Sequence, residues 1–480
     1  MTRFRSLPVL AVRRMLGNWR LLSSVVIGTV VAAAILSATA IYADAIRDLG
    51  LQHALRQVSP AELDLSIVTS NVNVSGAAYQ RSTARQDAAA GAALHGAASG
   101  IVRVATTATF YPAVVGARAD ANDQARPRAN LIVRSALPDH VTVVQGVLPP
   151  TAGRGADGPV PVAVGEETAR EHGLGIGTTR DLFPFWEEKA APLRVQVVGI
   201  IRANEPTGRY WGTQDVAVDV ATRSWPTYLF FIPDGTLFGA VAERVPSIAA
   251  DYENRYLVEP TALDARIALP VADGLSQLGT ALAATETRPA ITSDLEGVLR
   301  SFDQKLFFTR IPLLVLLLQI GGIVGYYLVM VSTMLIERQA AEIATLRSRG
   351  ATTAQLLAQY GVEGAILAVL AALVGPPIAA SVVSALGPTP AFAALSGGEP
   401  LTVHVGTGAY VLAGAGAILA FTSLMIPAWR ATRVTVLEFK RGAARPRPTP
   451  LLLRYYVDVL AVGIVALAFW RLSRENSLFS

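Results

Sequence analysis

The sequence predicts an α-helical membrane protein of four to five transmembrane helices, with an α+β domain inserted between helices 1 and 2. Three observations carry that fold class. Charged residues make up only 16% of the 480 and apolar residues 52%, whereas a soluble domain carries about 25% charge. The apolar residues fall into long uncharged blocks, which lifts the mean hydropathy to +0.41. Between the first two blocks, residues 44–309 alternate short strand and helix patterns instead.

Residues 1–20 form a basic amphipathic segment, and 21–43 form the first span. A span needs roughly 20 apolar residues to cross about 30 Å of hydrocarbon, and 21–43 carries no charge. Ala38-Thr39-Ala40 and Ala43-Asp44-Ala45 have the look of signal cleavage sites. Signal cores, however, run only about 7–15 residues behind a short basic lead, and this run and its lead are both longer. The segment therefore reads as a retained span.

Within 44–309, "ELDLSIV" places Leu63, Leu65 and Ile67 on one face of a strand. "GPVPVAV", "LRVQVVGII" and "QDVAVDV" are β-branched runs bounded by turn residues. "GEETAREHGLGIG" reads as a short helix with acids in its first turn and glycines at its end. Its GxGxG spacing follows a helix, so it lacks both the GxGxxG spacing and the strand of a dinucleotide loop; a tight turn is expected. The Ala/Gly-rich stretch 84–100 is expected as a loose-ended helix or a loop. The end of the block reads as a helical stalk, broken near Pro289.

The second span is expected at 310–336, a coupling helix and turn at 337–358, and the third span at 359–386. A loop at 387–404, a fourth span at 405–429 and a basic linker at 430–450 follow. A fifth candidate, 451–470, contains Arg454 and Asp458, and 471–480 is the tail. Arginines sort to alternate ends of the spans: Arg3, Arg5, Arg13, Arg14 and Arg20, then Arg338, Arg347 and Arg349, then Arg430, Arg433, Lys440 and Arg441. By the positive-inside rule the N-terminus is cytoplasmic and 44–309 faces outward, in a multi-pass protein of the cytoplasmic (inner) membrane. Gly321 and Gly325 form a GxxxG in span two that suits a helix partner. Pro376-Pro377 is expected to kink span three, and Glu363 to snorkel toward its cytoplasmic end or to favour the start of its helix.

The chain lacks cysteine, which excludes disulfides, thiolate zinc and a cysteine nucleophile. Its five histidines, His53, His95, His140, His172 and His404, show no HExxH spacing, and there is no GxSxG. No catalytic or metal constellation is read, and no aromatic-interleaved basic patch calls for nucleic acid. GxxxxGK[ST] is also missing, so the chain has no P-loop.

The segment "ERQAAEIATLRSRGATTAQL" stands between two spans. Ile336, Ala340, Ile343 and Leu346 recur at helical spacing, and Arg338 with Glu342 makes an i,i+4 pair. Gly350 is a left-handed stop, and Thr352 with Gln355 fits a capping box that restarts a helix. An ordinary connector needs no amphipathic face unless something docks on it.

This segment resembles the core motif of the FtsX-like permease family, the membrane subunits of MacB- and LolCDE-type ABC transporters. The family motif E-I-x-x-L-R-x-x-G-A-x-x-x-x-L is matched by Glu342, Ile343, Leu346, Arg347, Gly350, Ala351 and Leu356. Glu337 and Arg338 stand three residues before Glu342, where the family usually has its E-R pair two before. "PAWRATRVTVLEFKRG" is similar to the family's exit motif through Pro427, Ala428, Ala431, Val436 and Leu437. The block 44–309 resembles a MacB-type extracytoplasmic domain, and 451–470 looks like the fifth span of longer, ten-span members, of which this chain would be the front part.

The resemblance implies a permease subunit working by mechanotransmission, for efflux or for lipid- or lipoprotein-type substrates. ATP and Mg would be bound by a separate cytoplasmic ATPase dimer, and this chain would hold no cofactor. Glu337, Arg338, Glu342, Ile343, Leu346, Arg347 and Gly350 would couple to that ATPase, with Ile343 and Leu346 filling its groove and the charges pairing at the rim. Further partners would be a second permease half or a second copy, the membrane, and an extracytoplasmic protein or lipophilic substrate. The alternatives are an ATPase-driven regulator of an outer-surface hydrolase, and an anchored sensor with no ATPase.

Overall fold

The computed structural model describes residues 19–117, 126–187, 190–212, 217–219, 227–283, 288–390, 392–393 and 398–433; for 19–22, 24, 306–314, 316–318, 340–342, 344 and 433 it describes the backbone alone. The fifth candidate span, the basic linker from 434 on and the basic N-terminal segment up to 18 lie outside these residues. The chain divides into two units, a helical one and a sheet-rich one.

Among the described residues, four helices are long and apolar enough to cross a membrane. They belong to α1 (Trp19–Arg56), α5 (Leu295–Ser348), α6 (Thr353–Ser384) and α7 (Thr407–Arg433). The boundaries read from the sequence at 43, 309 and 336 fall inside helices: stalk, span and charged segment form one helix, α5, of 54 residues. Backbone hydrogen bonds continue wherever no proline or glycine stop intervenes, so a change from apolar to charged side chains does not end a helix.

Within the helical unit, small residues bring the helices together. A methyl group on Gly375 of α6 would stand 2.9 Å from the Ala33 side chain of α1 and 3.1 Å from its backbone. One on Gly416 of α7 would meet Leu36 and Ala33 at 3.0 and 3.3 Å. Ala33 is fully buried at this meeting point. Ser332 and Ser423 add a hydroxyl contact of 3.3 Å between α5 and α7. Close packing of small residues is how apolar helices associate when lipid is as apolar as they are.

The sheet unit has eleven strands among the described residues. They are β1 (Leu65–Asn73), β2 (Ala98–Thr107), β3 (Phe110–Val114), β4 (Arg128–Arg134), β5 (Val141–Gly146), β6 (Val160–Gly165), β7 (Thr179–Pro184), β8 (Leu193–Ala203), β9 (Thr227–Phe231), β10 (Ala249–Val258) and β11 (Ala290–Thr292). Strands β4, β3, β7, β8, β6 and β9 pair in succession, and β9 returns to β4 in parallel through Arg128↔Thr227 to Ile132↔Phe231. The six therefore close a ring. Phe110, Leu131, Val162, Leu182, Val195 and Phe230 form one buried core among them. Strands β2, β10, β1 and β11 extend from β4 as an open arm.

Two helices, α2 (Gly76–Leu94) and α4 (Ala268–Leu282), cover the arm with the ends of α1 and α5. Leu51 and Leu55 of α1, Leu65 and Ile67 of β1, and Leu295 and Leu299 of α5 are all buried there. Each such side chain contributes about 1.5–3 kcal/mol by leaving water. Gly274 lets α4 cross α2 at Ala93, whose backbone would be 2.8 Å from any methyl group.

Leu65 and Ile67 share the buried face of β1 as their alternation requires, whereas Leu63, also buried, ends a short helical turn (Pro60–Leu63) and is not part of the strand. The stretch 84–100 is resolved into helix up to Leu94 and strand from Ala98. "GLGIG" is a turn, with Gly173 and Gly177 at φ +63° and +84°. "QDVAVDV" differs from its strand reading: its described part, 217–219, is a bend. There Asp219 accepts the Thr168 amide and hydroxyl at 2.8 and 2.7 Å, capping α3 (Glu166–Glu171) from 51 residues beyond Thr168.

Candidate functional site

The charged segment closes α5 and opens α6. Gly350 has φ +91°, a left-handed conformation that costs any residue with a Cβ about 1–2 kcal/mol. Its amide donates to the Arg347 carbonyl at 3.0 Å, and the next amide, Ala351, to the Leu346 carbonyl at 3.1 Å. This pair of bonds is a complete Schellman stop. The Gln355 amide then donates to Thr352 Oγ1 at 3.2 Å, and the Thr352 amide to Gln355 Oε1 at 3.1 Å. The reciprocal capping box sets α6 off in a new direction. Stop and restart together make the turn a defined piece of backbone.

Ile343 lies inside this turn and is only 3% exposed. It packs with Leu335, Ile336, Leu356, Tyr360, Leu367, Leu424 and Ala428, and half-buried Leu346 leans on the same cluster. The apolar face therefore seals the chain's own helices, and Ile343 is no outward anchor. Gln339, on that face between Ile336 and Ile343, is buried and accepts the Tyr360 hydroxyl at 2.7 Å. Arg347 Nη1 donates to the Thr432 carbonyl at 2.6 Å, so the arginine fastens the end of α5 to the last turn of α7. Glu337, Arg338, Thr345, Ser348 and Arg349 remain exposed. The Glu342 side chain lies outside the described residues, and with it the Arg338–Glu342 pair.

Glu363 is 5% exposed; it is buried among the helices and does not snorkel to the surface. Gly321 and Gly325 face the chain's own helices: a methyl group on Gly321 would stand 3.9 Å from Leu36 of α1, and one on Gly325 3.4 Å from Leu419 of α7. Gln339, Tyr360 and Thr432 were missed in the sequence. The first had a signal, a polar residue at an apolar position of the helical repeat; the bond to Thr432 had none, because it uses a backbone carbonyl 85 residues away. Among the described residues no three His, Asp or Glu side chains converge as metal ligands do.

Residues 314–436 match the family model described as FtsX-like permease C-terminal. No curated protein matches the chain. Among solved structures, a domain of a Porphyromonas gingivalis protein assigned provisionally as a permease is 12% identical, over 48% of this chain and 89% of that one. Its TM-score of 0.23 is too low to carry an argument. The matched stretch begins in α5, takes in the Schellman stop, the capping box and α6, and ends beyond α7, so the similarity to the FtsX-like permease C-terminal model falls on the segment that carries the turn.

Proposed function

We propose that the chain is the membrane subunit of an ABC transporter that works by mechanotransmission. A separate ATPase dimer, which binds ATP and Mg, docks on the arginine-rich turn at 337–358 from the cytoplasmic side. Helix α5 relays its stroke to the sheet domain on the opposite side, where an efflux or lipid-type substrate is handled, in concert with a second permease half or copy. The observation that supports this reading is the continuity of α5. Its first turns are buried in the sheet domain's core through Leu295, Leu299 and Phe302, and its last turns in the helical core through Ile336 and Ile343.

The docking surface in this reading is the exposed set Glu337, Arg338, Thr345 and Arg349, with Ile343 behind it as the support. Exposed charges at a rim set orientation and on-rate, while buried apolar contacts hold the element that carries them. Arg338→Glu is therefore expected to leave thermal stability unchanged and to abolish ATPase stimulation. Ile343→Ala is expected to cost about 2–5 kcal/mol of stability, as large-to-small core changes do.

Because the chain has no cysteine, single cysteines at Arg338, Thr345 and Arg349 can be crosslinked to a co-expressed ATPase in membranes. A crosslink that changes with ATP is expected. Its absence at all three sites, with the ATPase present and folded, would leave an anchored sensor.

A further inference from the structure

The sheet unit holds a cleft of about 580 Å³ between α2 and the strands β2 and β4. Tyr79, Thr83 and Asp87, one helical turn apart on α2, form one wall; Arg103 of β2 and Arg134 of β4 stand on the other. That volume lies within the roughly 300–1,000 Å³ of small-molecule sites.

The charges of the cleft do not balance around Arg134. Arg103 is neutralised by Asp87, 2.8 Å from its Nη2, and Asp87 also accepts the Tyr256 hydroxyl at 2.9 Å. Arg134 has no carboxylate partner among the described residues. Its Nη1 donates to the Tyr210 carbonyl at 2.9 Å, which Arg255 also takes as its acceptor. Its guanidinium carbon lies 5.3 and 5.0 Å from the Tyr210 and Trp211 rings. Two guanidiniums thus converge on one carbonyl, and Glu253 stands 3.9 Å from Arg255. Burial pushes Arg134 down to about 10, which still leaves it charged at neutral pH. The Asp234 carboxylate is the other acid on the lining; it is exposed and accepts its neighbour's amide, Gly235, at 2.6 Å.

The donor inventory points the same way. The Nε–H groups of Arg103 and Arg134 are buried and have no acceptor among the described residues. Leaving such donors unmade costs about 1–3 kcal/mol each, more for charged groups, and guanidiniums bind carboxylate and phosphate best. Beside them, the Tyr79 and Phe238 rings lie 5.2 Å apart and give the cleft an aromatic side.

We propose that this cleft binds a small carboxylate or phosphate carried on an aromatic or short apolar body, with Arg134 and Arg103 donating to the anion and Tyr79 and Phe238 receiving the body. The site is independent of the coupling reading, since an ATPase that never docks leaves the cleft as it is.

The test is titration calorimetry of the full chain in a neutral detergent, with phenyl phosphate, inorganic phosphate and dihexanoyl phosphatidate as probes. Saturable binding of phenyl phosphate is expected, at least tenfold tighter than inorganic phosphate. Arg134→Gln should weaken it at least tenfold. Ala84→Trp, at an exposed position on the lining, should do the same by blocking the mouth without entering the core. Arg266→Gln, an exposed arginine elsewhere, should change nothing. Competition by the phosphatidate assigns the anion to a lipid headgroup, and its failure to compete assigns it to a soluble molecule. Binding that is absent, equal for inorganic phosphate, or indifferent to both Arg134→Gln and Ala84→Trp overturns the proposal.

Discussion

Arg347 reaches across the helical unit to the Thr432 carbonyl, 2.6 Å from its Nη1. The last turn of a helix leaves carbonyls without partners and carries partial negative charge, so a guanidinium there satisfies both. The most recognisable cation of the charged segment thus spends one of its donors on its own chain, which makes it a brace between α5 and α7.

Arg347→Gln is expected to lower stability by about 1.5–3 kcal/mol, the worth of a hydrogen bond to a charged group. Arg349→Gln, exposed one turn-end further on, is expected to change it by less than about 0.5 kcal/mol. Thermal unfolding of both variants in the same detergent makes the comparison.

Glycine substitutions in the spans should separate sharply. A methyl group at Gly325 meets only the end of the Leu419 side chain, 3.4 Å away, and one at Gly321 meets Leu36 at 3.9 Å. Both alanine variants should be near neutral. Gly375→Ala would press on the Ala33 backbone at 3.1 Å and is expected to cost about 1–3 kcal/mol, as overpacking does. The readout is again the unfolding temperature of the full chain.

Alkaline pH should weaken the sheet unit. Burial raises Tyr210 to about 12 and raises Tyr252 and Tyr256 as well. Above pH 10 the unfolded chain gives up these protons and the folded one keeps them. The stability each tyrosine contributes is therefore full below pH 10 and lost as pH rises through the folded value. Arg134, lowered by burial to about 10, acts in the opposite sense over the same range and offsets roughly one of the three. A net fall between pH 10 and 12 is expected. Tyr252 has a buried hydroxyl without a partner among the described residues, so Tyr252→Phe should be neutral or stabilising at pH 7 and should flatten the alkaline fall. Denaturant unfolding across that range measures both.

Local grammar was legible in the sequence and contacts at a distance were not. Gly350 as a stop and Thr352 with Gln355 as a restart depend on residues within a few positions, and the structure shows each bond they call for. The spacing of Ile336, Ile343 and Leu346 located an apolar face, but spacing alone does not tell whether such a face meets another protein or the chain's own helices. The GxxxG at Gly321 and Gly325 was visible as a pattern. The tighter approach at Gly375 depends on where two helices cross, which no local pattern encodes. The closed ring was hidden for the same reason, because β4 and β9 pair in parallel across about a hundred residues of intervening chain.

The strand order also has a consequence for how the protein comes off the ribosome. The first strand synthesised, β1, has only β10 and β11 as neighbours. When β1 emerges, roughly 180 residues must still be translated before β10 exists, a delay on the order of ten seconds or more at 5–20 residues per second. Throughout that time Leu65 and Ile67 have no strand to lie beside. Strand β2 can pair with β4 early, but β1 and β11 join the sheet only after β10 exists, so the outer part of the arm is the last to assemble.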